Sequence, residues 1–169
     1  MSERIPNVSL EGAEILPGKF KNFSGRPGQY NPAGKITFCI RLDRKTADDM
    51  VEDGWNVKQL DPRDEDGEPT PYITARIRFD NFPPVIYMLT GRHNKKTRLD
   101  EDTIGSLDSM RIEWADITLT PYSWEMKTKD GISNGITAYV KTAYFKVADE
   151  DDFADKYLDD DYPDEVPFN

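Results

Sequence analysis

Two stretches rich in β-branched and aromatic residues, 111–120 and 136–147, flank Lys129-Asp130-Gly131 and Asn134-Gly135. Such residues favour a pleated, half-buried backbone, and Asp-Gly and Asn-Gly supply the positive φ that a tight hairpin turn needs. The pattern predicts one long hairpin with its tip near residues 130–135. No other segment constrains the fold as strongly, because a ribbon of this length must bury one face against further strands.

Those further strands are visible. Residues 36–42 alternate and put Ile36, Phe38, Ile40 and Leu42 on one face. Residues 72–79 alternate more cleanly, with Ile73, Ala75, Ile77 and Phe79 inward and Tyr72, Thr74, Arg76 and Arg78 outward. Residues 85–89 are a short apolar run that reads as a buried strand, and weaker strands are expected at 11–16 and 20–23. Two short helices are expected, one over 46–54 with Thr46 as N-cap and Gly54 as its end. The other covers 100–110, with Asp100 as cap and Ile104, Leu107 and Met110 on one stripe. Residues 25–34 and 61–71, rich in glycine, proline and charge, read as loops. The chain is therefore expected to be mainly β, an OB-fold-like five-stranded partly open barrel with one or two short helices. That domain is placed at residues 1–148. Residues 149–169 hold too few apolar side chains to close a core and are expected to be a disordered acidic tail.

The charge divides the same way. The formal net charge is −10, but residues 149–169 carry ten acids and one base, so residues 1–148 carry −10 + 9 = −1. Residues 17–45 hold seven bases against one acid, and residues 76–98 hold six against one, so a nearly neutral body has locally basic segments that can meet phosphate. A single cysteine, Cys39, excludes an intrachain disulfide, and the single His93 excludes the usual Cys/His zinc sites. No stretch approaches the roughly 18 apolar residues of a spanning helix, and no apolar run follows the charged opening of the chain. The expectation is a cytoplasmic protein without membrane association. Neither a phosphate-binding Gly-x-x-x-x-Gly-Lys-Ser/Thr loop nor a Gly-x-Ser-x-Gly elbow is present. The expectation is a non-enzyme without cofactor or metal, with Cys39 a buried thiol and His93 a surface loop residue.

Single-strand binding asks for cations that follow phosphates and flat rings on which bases stack. The sequence interleaves the two, in Phe20-Lys21-Asn22-Phe23 leading to Arg26 and Tyr30, in Tyr72, Arg76 and Arg78, and in Tyr122, Trp124, Tyr139, Lys141, Tyr144 and Lys146. Phe38, Phe79, Trp114 and Phe145 are assigned to the core. The candidate phosphate contacts are Lys35, Arg41, Arg76, Arg78 and the loop cluster Arg92, Lys95, Lys96 and Arg98. The candidate stacking rings are Tyr30, Trp55, Tyr72 and Trp124.

The final residues, Asp159-Asp160-Asp161-Tyr162-Pro163-Asp164-Glu165-Val166-Pro167-Phe168-Asn169, form an acidic run closed by an apolar Pro-Phe tip. This segment resembles the tails of bacterial and phage single-stranded-DNA-binding proteins, though here Asn169 follows the phenylalanine. The segment from Phe23 to Lys35 is similar to phage-encoded members of that group, as are Asp53-Gly54-Trp55-Asn56-Val57-Lys58 and Leu99-Asp100-Glu101-Asp102-Thr103-Ile104. The resemblance implies an OB-fold core, sequence-independent binding and protection of single-stranded DNA, and a place in phage DNA replication or recombination. It also implies that the tail residues Asp160, Asp161, Asp164, Glu165, Pro167 and Phe168 modulate DNA access and recruit replication or recombination proteins. A β-rich acidic adaptor or DNA mimic that binds basic proteins and no DNA is the alternative, and a metal-dependent nuclease a more distant one. The oligomeric state stays open, a homo-oligomer included.

Overall fold

A computed structural model describes residues 5–28, 34–62, 67–80 and 83–148. Nine strands carry the architecture: β1 (Val8–Ile15), β2 (Lys21–Asn22), β3 (Ile36–Arg41), β4 (Val57–Leu60), β5 (Thr70–Ile77), β6 (Val85–Thr90), β7 (Lys95–Leu99), β8 (Ile112–Thr128) and β9 (Gly131–Val147). One α-helix, α1 (Arg44–Asp53), and two 3-10 turns, Gly18–Phe20 and Ile104–Ser109, complete it. The β8–β9 hairpin runs from Ile112↔Val147 to Thr128↔Gly131. Its tip is at Lys129-Asp130 with Gly131 at φ 129°, so β8 runs on past residue 120 to the turn and β9 takes in residues 131–135, which were expected in the tip.

Five strands close into a ring. β1 pairs with β3 and with β8, β8 with β9, β3 with β5, and β5 returns in parallel to β9 at Ala75↔Ala138 and Arg76↔Tyr139. This is the expected five-stranded, partly open arrangement. Two of its joints, β1–β3 and β5–β9, are only two residue pairs long. The second edge of β5 is shared, with residues 70–73 paired to β4 and Ala75 and Arg76 to β9. The chain therefore forks at Thr74, where β4 and β9 part from β5. The second edge of β9 is likewise divided between β5 and β6, and β6 carries β7 outward from the ring.

Alternation explains the inside. Ile73, Ala75 and Ile77 of β5, Ala115, Ile117 and Leu119 of β8, and Ala138, Val140, Ala143 and Phe145 of β9 are all buried. Alanines set between large side chains let the strands close without voids. Phe23, Phe38 and Phe145 meet at the centre with ring centroids 5.0–5.4 Å apart. Ala47 and Met50 press α1 onto this core, and Ile104 and Leu107, three apart as a 3-10 turn requires, do the same from the other segment.

Several expectations are corrected. The N-cap of α1 is Asp43, whose carboxylate accepts the Thr46 N–H at 2.7 Å, and Thr46 sits inside the first turn. Trp114 is half-buried and lies opposite Lys146 on the outer face rather than in the core, while Phe79 is half-buried and packs against the core. Lys95, Lys96 and Arg98 stand on strand β7, not in a loop. The sequence does not predict β4 either, because its four residues, Val57-Lys58-Gln59-Leu60, show no alternation.

Asp108 ties the 3-10 turn to the β2 segment. Its carboxylate accepts the Phe23 N–H at 2.7 Å and the Ser24 N–H at 2.9 Å, with Arg26 3.5 Å away. Lys21 completes the clasp by donating to the carbonyls of Leu107 and Met110. Burial pushes the Asp108 carboxyl up, but the bonds from Ser24 and Phe23 and the nearby Arg26 outweigh it and hold the group below its ordinary value. A lowered native pKa means the unfolded chain binds more protons, so this stabilisation is complete above about pH 4 and fades as pH falls. Asp108→Asn is expected to cost about 2 kcal/mol at neutral pH, and to flatten the loss of stability below pH 4 in urea titrations.

Candidate nucleic-acid interface

The face of the ring that turns away from the core is where the cations and rings meet. Directly opposite residues share a face, so register places Arg41, Tyr72 and Lys58 in one row across β3, β5 and β4. It places Thr37, Arg76 and Tyr139 in a second row across β3, β5 and β9. The Tyr139 ring lies beneath two guanidinium groups, Arg76 at 5.3 Å and Arg78 at 5.7 Å. Tyr122 meets Tyr139 edge-on at 5.9 Å, and Phe20 meets Tyr72 at 5.8 Å. Cations over aromatic faces leave their N–H groups turned to solvent-borne acceptors while the stems cover apolar surface.

β9 carries the face onward. Thr142, Tyr144 and Lys146 continue it beyond Tyr139, with a register shift between Thr118 and Leu119 of β8 accommodating the spare residue Lys141. Tyr144 stacks on Tyr87 of β6 with centroids 5.4 Å apart and planes inclined by 14°. Lys96 and Arg98 of β7 lie over Tyr87 at 5.1 and 5.9 Å. Lys146 donates to Asn94 Oδ1 at 2.7 Å and to the Gly91 carbonyl, which fixes the β6–β7 turn beside β9. From Tyr139 to Tyr144 is about 16 Å at roughly 3.3 Å per residue, so the two clusters form one strip.

The expected residues fall into groups. Tyr72, Arg76 and Arg78 lie together on the strip, and Lys96 and Arg98 lie at its far end. Arg41 is on it too, engaged by Glu14 at 3.2 Å, and Arg78 is engaged by Asp80 at 2.9 Å. Lys35 is exposed just ahead of β3, while Arg92 and Lys95 are exposed at the β6–β7 turn and the start of β7. Trp124 lies across the neighbouring strand, over Gly135, where an added Cβ would come within 2.8 Å of the indole. Trp55 is 3% exposed and packs with the core, so in this conformation its ring offers no open face for stacking. Tyr30 and the tail residues lie outside the described residues.

Reading the sequence did not single out Tyr87 or Lys58, and it placed Tyr139 and Tyr144 in the interleaved pattern without choosing them as stacking rings. Tyr87 is hidden in an apolar run that looks wholly buried, and only pairing to β9 reveals its outward face. Cys39 faces Thr74 under the strip, buried, and burial pushes its thiol pKa up. Among the described residues no group of His, Cys, Asp or Glu is arranged to hold a metal, and no helix is long and apolar enough to cross a membrane.

An open ring of strands bearing a strip of alternating cations and flat rings has the form of a protein that holds single-stranded nucleic acid. Residues 1–166 match the phage ssDNA-binding domain family, and the chain belongs to that family. Its function is single-stranded DNA binding, and the alternative of an acidic adaptor or DNA mimic is set aside. No curated protein matches the chain. Among solved structures it is similar to the single-stranded DNA-binding protein from bacteriophage Enc34 in complex with ssDNA. That likeness has 14% identity and a TM-score of 0.51, over 85% of this chain and 88% of the other. The same bacteriophage protein without DNA is 13% identical at a TM-score of 0.50, over 89% of both chains. At these identities the likeness shows the shared fold.

The double variant Arg76→Gln/Arg78→Gln is expected to lower the slope of log K against log salt by about 1.4, roughly 0.7 for each phosphate contact on a single strand. Anisotropy of a labelled oligonucleotide at several salt concentrations measures it.

Proposed function

We propose that the strip from Tyr72 through Tyr139 to Tyr87 is the surface that binds single-stranded DNA, independently of sequence. The observation that carries the reading is the pair of guanidinium groups, Arg76 and Arg78, over one ring, Tyr139, at the β5–β9 joint. Arg41, Lys58, Arg76, Arg78, Lys96 and Arg98 contact phosphates, with Lys35, Arg92 and Lys95 at the margins. Tyr72, Tyr87, Tyr139 and Tyr144 offer stacking faces, each worth roughly 1–3 kcal/mol per base. Such binding weakens with salt through its ionic part and keeps its stacking part.

In this reading the protein is not an enzyme and needs no cofactor. It shields single strands during phage DNA replication or recombination in the cytoplasm of the host cell. Residues 149–169, with a charge of −9, compete with DNA for the basic strip, and the tip around Pro167 and Phe168 engages replication or recombination proteins. Acidic side chains opposite a cationic groove attract it as phosphates do, which supports the competition.

The test is fluorescence anisotropy of a labelled oligo-dT of about 30 nucleotides, with the full chain and with a variant ending at Ala148. Strand-selective binding over duplex that tightens without the tail is the expected result. Equal binding by both chains removes the tail from the account, and no binding by either at low salt removes the whole reading.

A further inference from the structure

The fork at Thr74 opens into a cleft of about 540 Å³, lined by Trp55, Lys58, Ile73, Arg76, Trp124 and Ile136 among others, a volume in the range of small-molecule sites. Two of its residues carry buried donors without a hydrogen-bond partner, the indole Nε1 of Trp55 and the Nε of Arg76. Buried polar groups in native proteins are almost always satisfied, so two orphans on one cleft call for an explanation. Both are donors, and what they lack is an acceptor. Part of the wall is flat or apolar, with the Trp124 indole over Gly135 on one side and Ile73 and Ile136 on others, and Thr37, Thr74 and Asn134 are among the polar residues that line the rest.

We propose that this cleft seats one unstacked nucleobase of the bound strand, whose carbonyl oxygens accept the N–H groups of Trp55 and Arg76. The inference deepens the single-strand-binding reading and rests on it. A flat heterocycle fits between the indole and the aliphatic side chains, whereas a phosphate would forfeit those contacts. Lys58 is exposed beside the cleft and meets the adjoining phosphate. Trp124 is the wall that yields, because the hairpin beyond Thr120 pairs only within itself among the described residues until β9 reaches β5 at Ala138. Thymine carries two carbonyl acceptors, one for each donor. The cleft thus imposes a local chemical preference on a surface that is otherwise indifferent to sequence.

The test compares a short oligo-dT with an oligomer of the same length built from 2,4-difluorotoluene nucleotides, which keep the shape of thymine and lack strong acceptors. The intact protein is expected to bind oligo-dT about threefold to tenfold tighter, as one net hydrogen bond implies. That gap closes in Trp55→Phe and narrows in Arg76→Lys, which keeps the charge. In the unsubstituted protein, the indole N–H resonance of Trp55 moves downfield with oligo-dT and stays in place with an abasic oligomer. The inference is overturned if the two oligomers bind alike, or if the gap persists in both variants. It is also overturned if the abasic strand moves the Trp55 resonance as far as oligo-dT does, since a phosphate then occupies the cleft. Failure of oligo-dT to bind at all, with every resonance unmoved, overturns it together with the reading beneath it.

Discussion

The parallel joint between β5 and β9 is the constraint on which the rest of this molecule depends. It is two residue pairs long, and it closes the ring. Without it, Ala75 and Ala138 would lose their cover, and the buried faces of two strands would open to water. The same pairs also set the outer face. Arg76 stands opposite Tyr139 because Ala75 stands opposite Ala138, so one register decides both the packing of the core and the geometry of the cations. A slip of one residue would turn every side chain on the strand to the wrong face.

The brevity of that joint has its own consequence. β5 divides its second edge between β4 and β9, and β9 divides its second edge between β5 and β6. Shared edges produce forks, and forks produce clefts with backbone and side-chain groups that no regular ladder satisfies. The first fork gives the cleft beneath Arg76, and the second brings Tyr87, Lys96 and Arg98 alongside Tyr144. The interface is thus spread over six strands, β3 to β7 and β9, and the rigid scaffold rather than any local motif brings them together.

Much of this was legible in the sequence, and the reason is periodicity. In residues 72–79 alternation is strict, and it correctly separated Ile73, Ala75 and Ile77 from Tyr72, Arg76 and Arg78. The five-stranded form was expected from the chain's length, its short strands and its resemblance to a family, while the closing pair Ala75↔Ala138 joins residues too far apart for any pattern to link. Tyr87 and Trp55 mark the limit. Tyr87 lies in an apolar run yet faces outward on β6, whereas Trp55 stands between Gly54 and Asn56 yet is buried beside α1, outcomes that depend on which element covers each ring. Asp43 displaced Thr46 as the helix cap because its carboxylate, just ahead of the first turn, accepts the Thr46 N–H and the Thr46 hydroxyl. Tyr30 and the acidic tail were chosen from composition and resemblance, and they lie outside the described residues.

The central claim is that DNA runs along the outer face of β5 and β9. Photo-crosslinking of a 5-iododeoxyuridine oligomer, followed by mass spectrometry of the adducts, tests it most directly. Adducts at Tyr72 and Tyr139, with Tyr87 or Tyr144 joining as the oligomer lengthens, are what this geometry predicts. Adducts confined to β1 and α1, with none on β5 or β9, would contradict it.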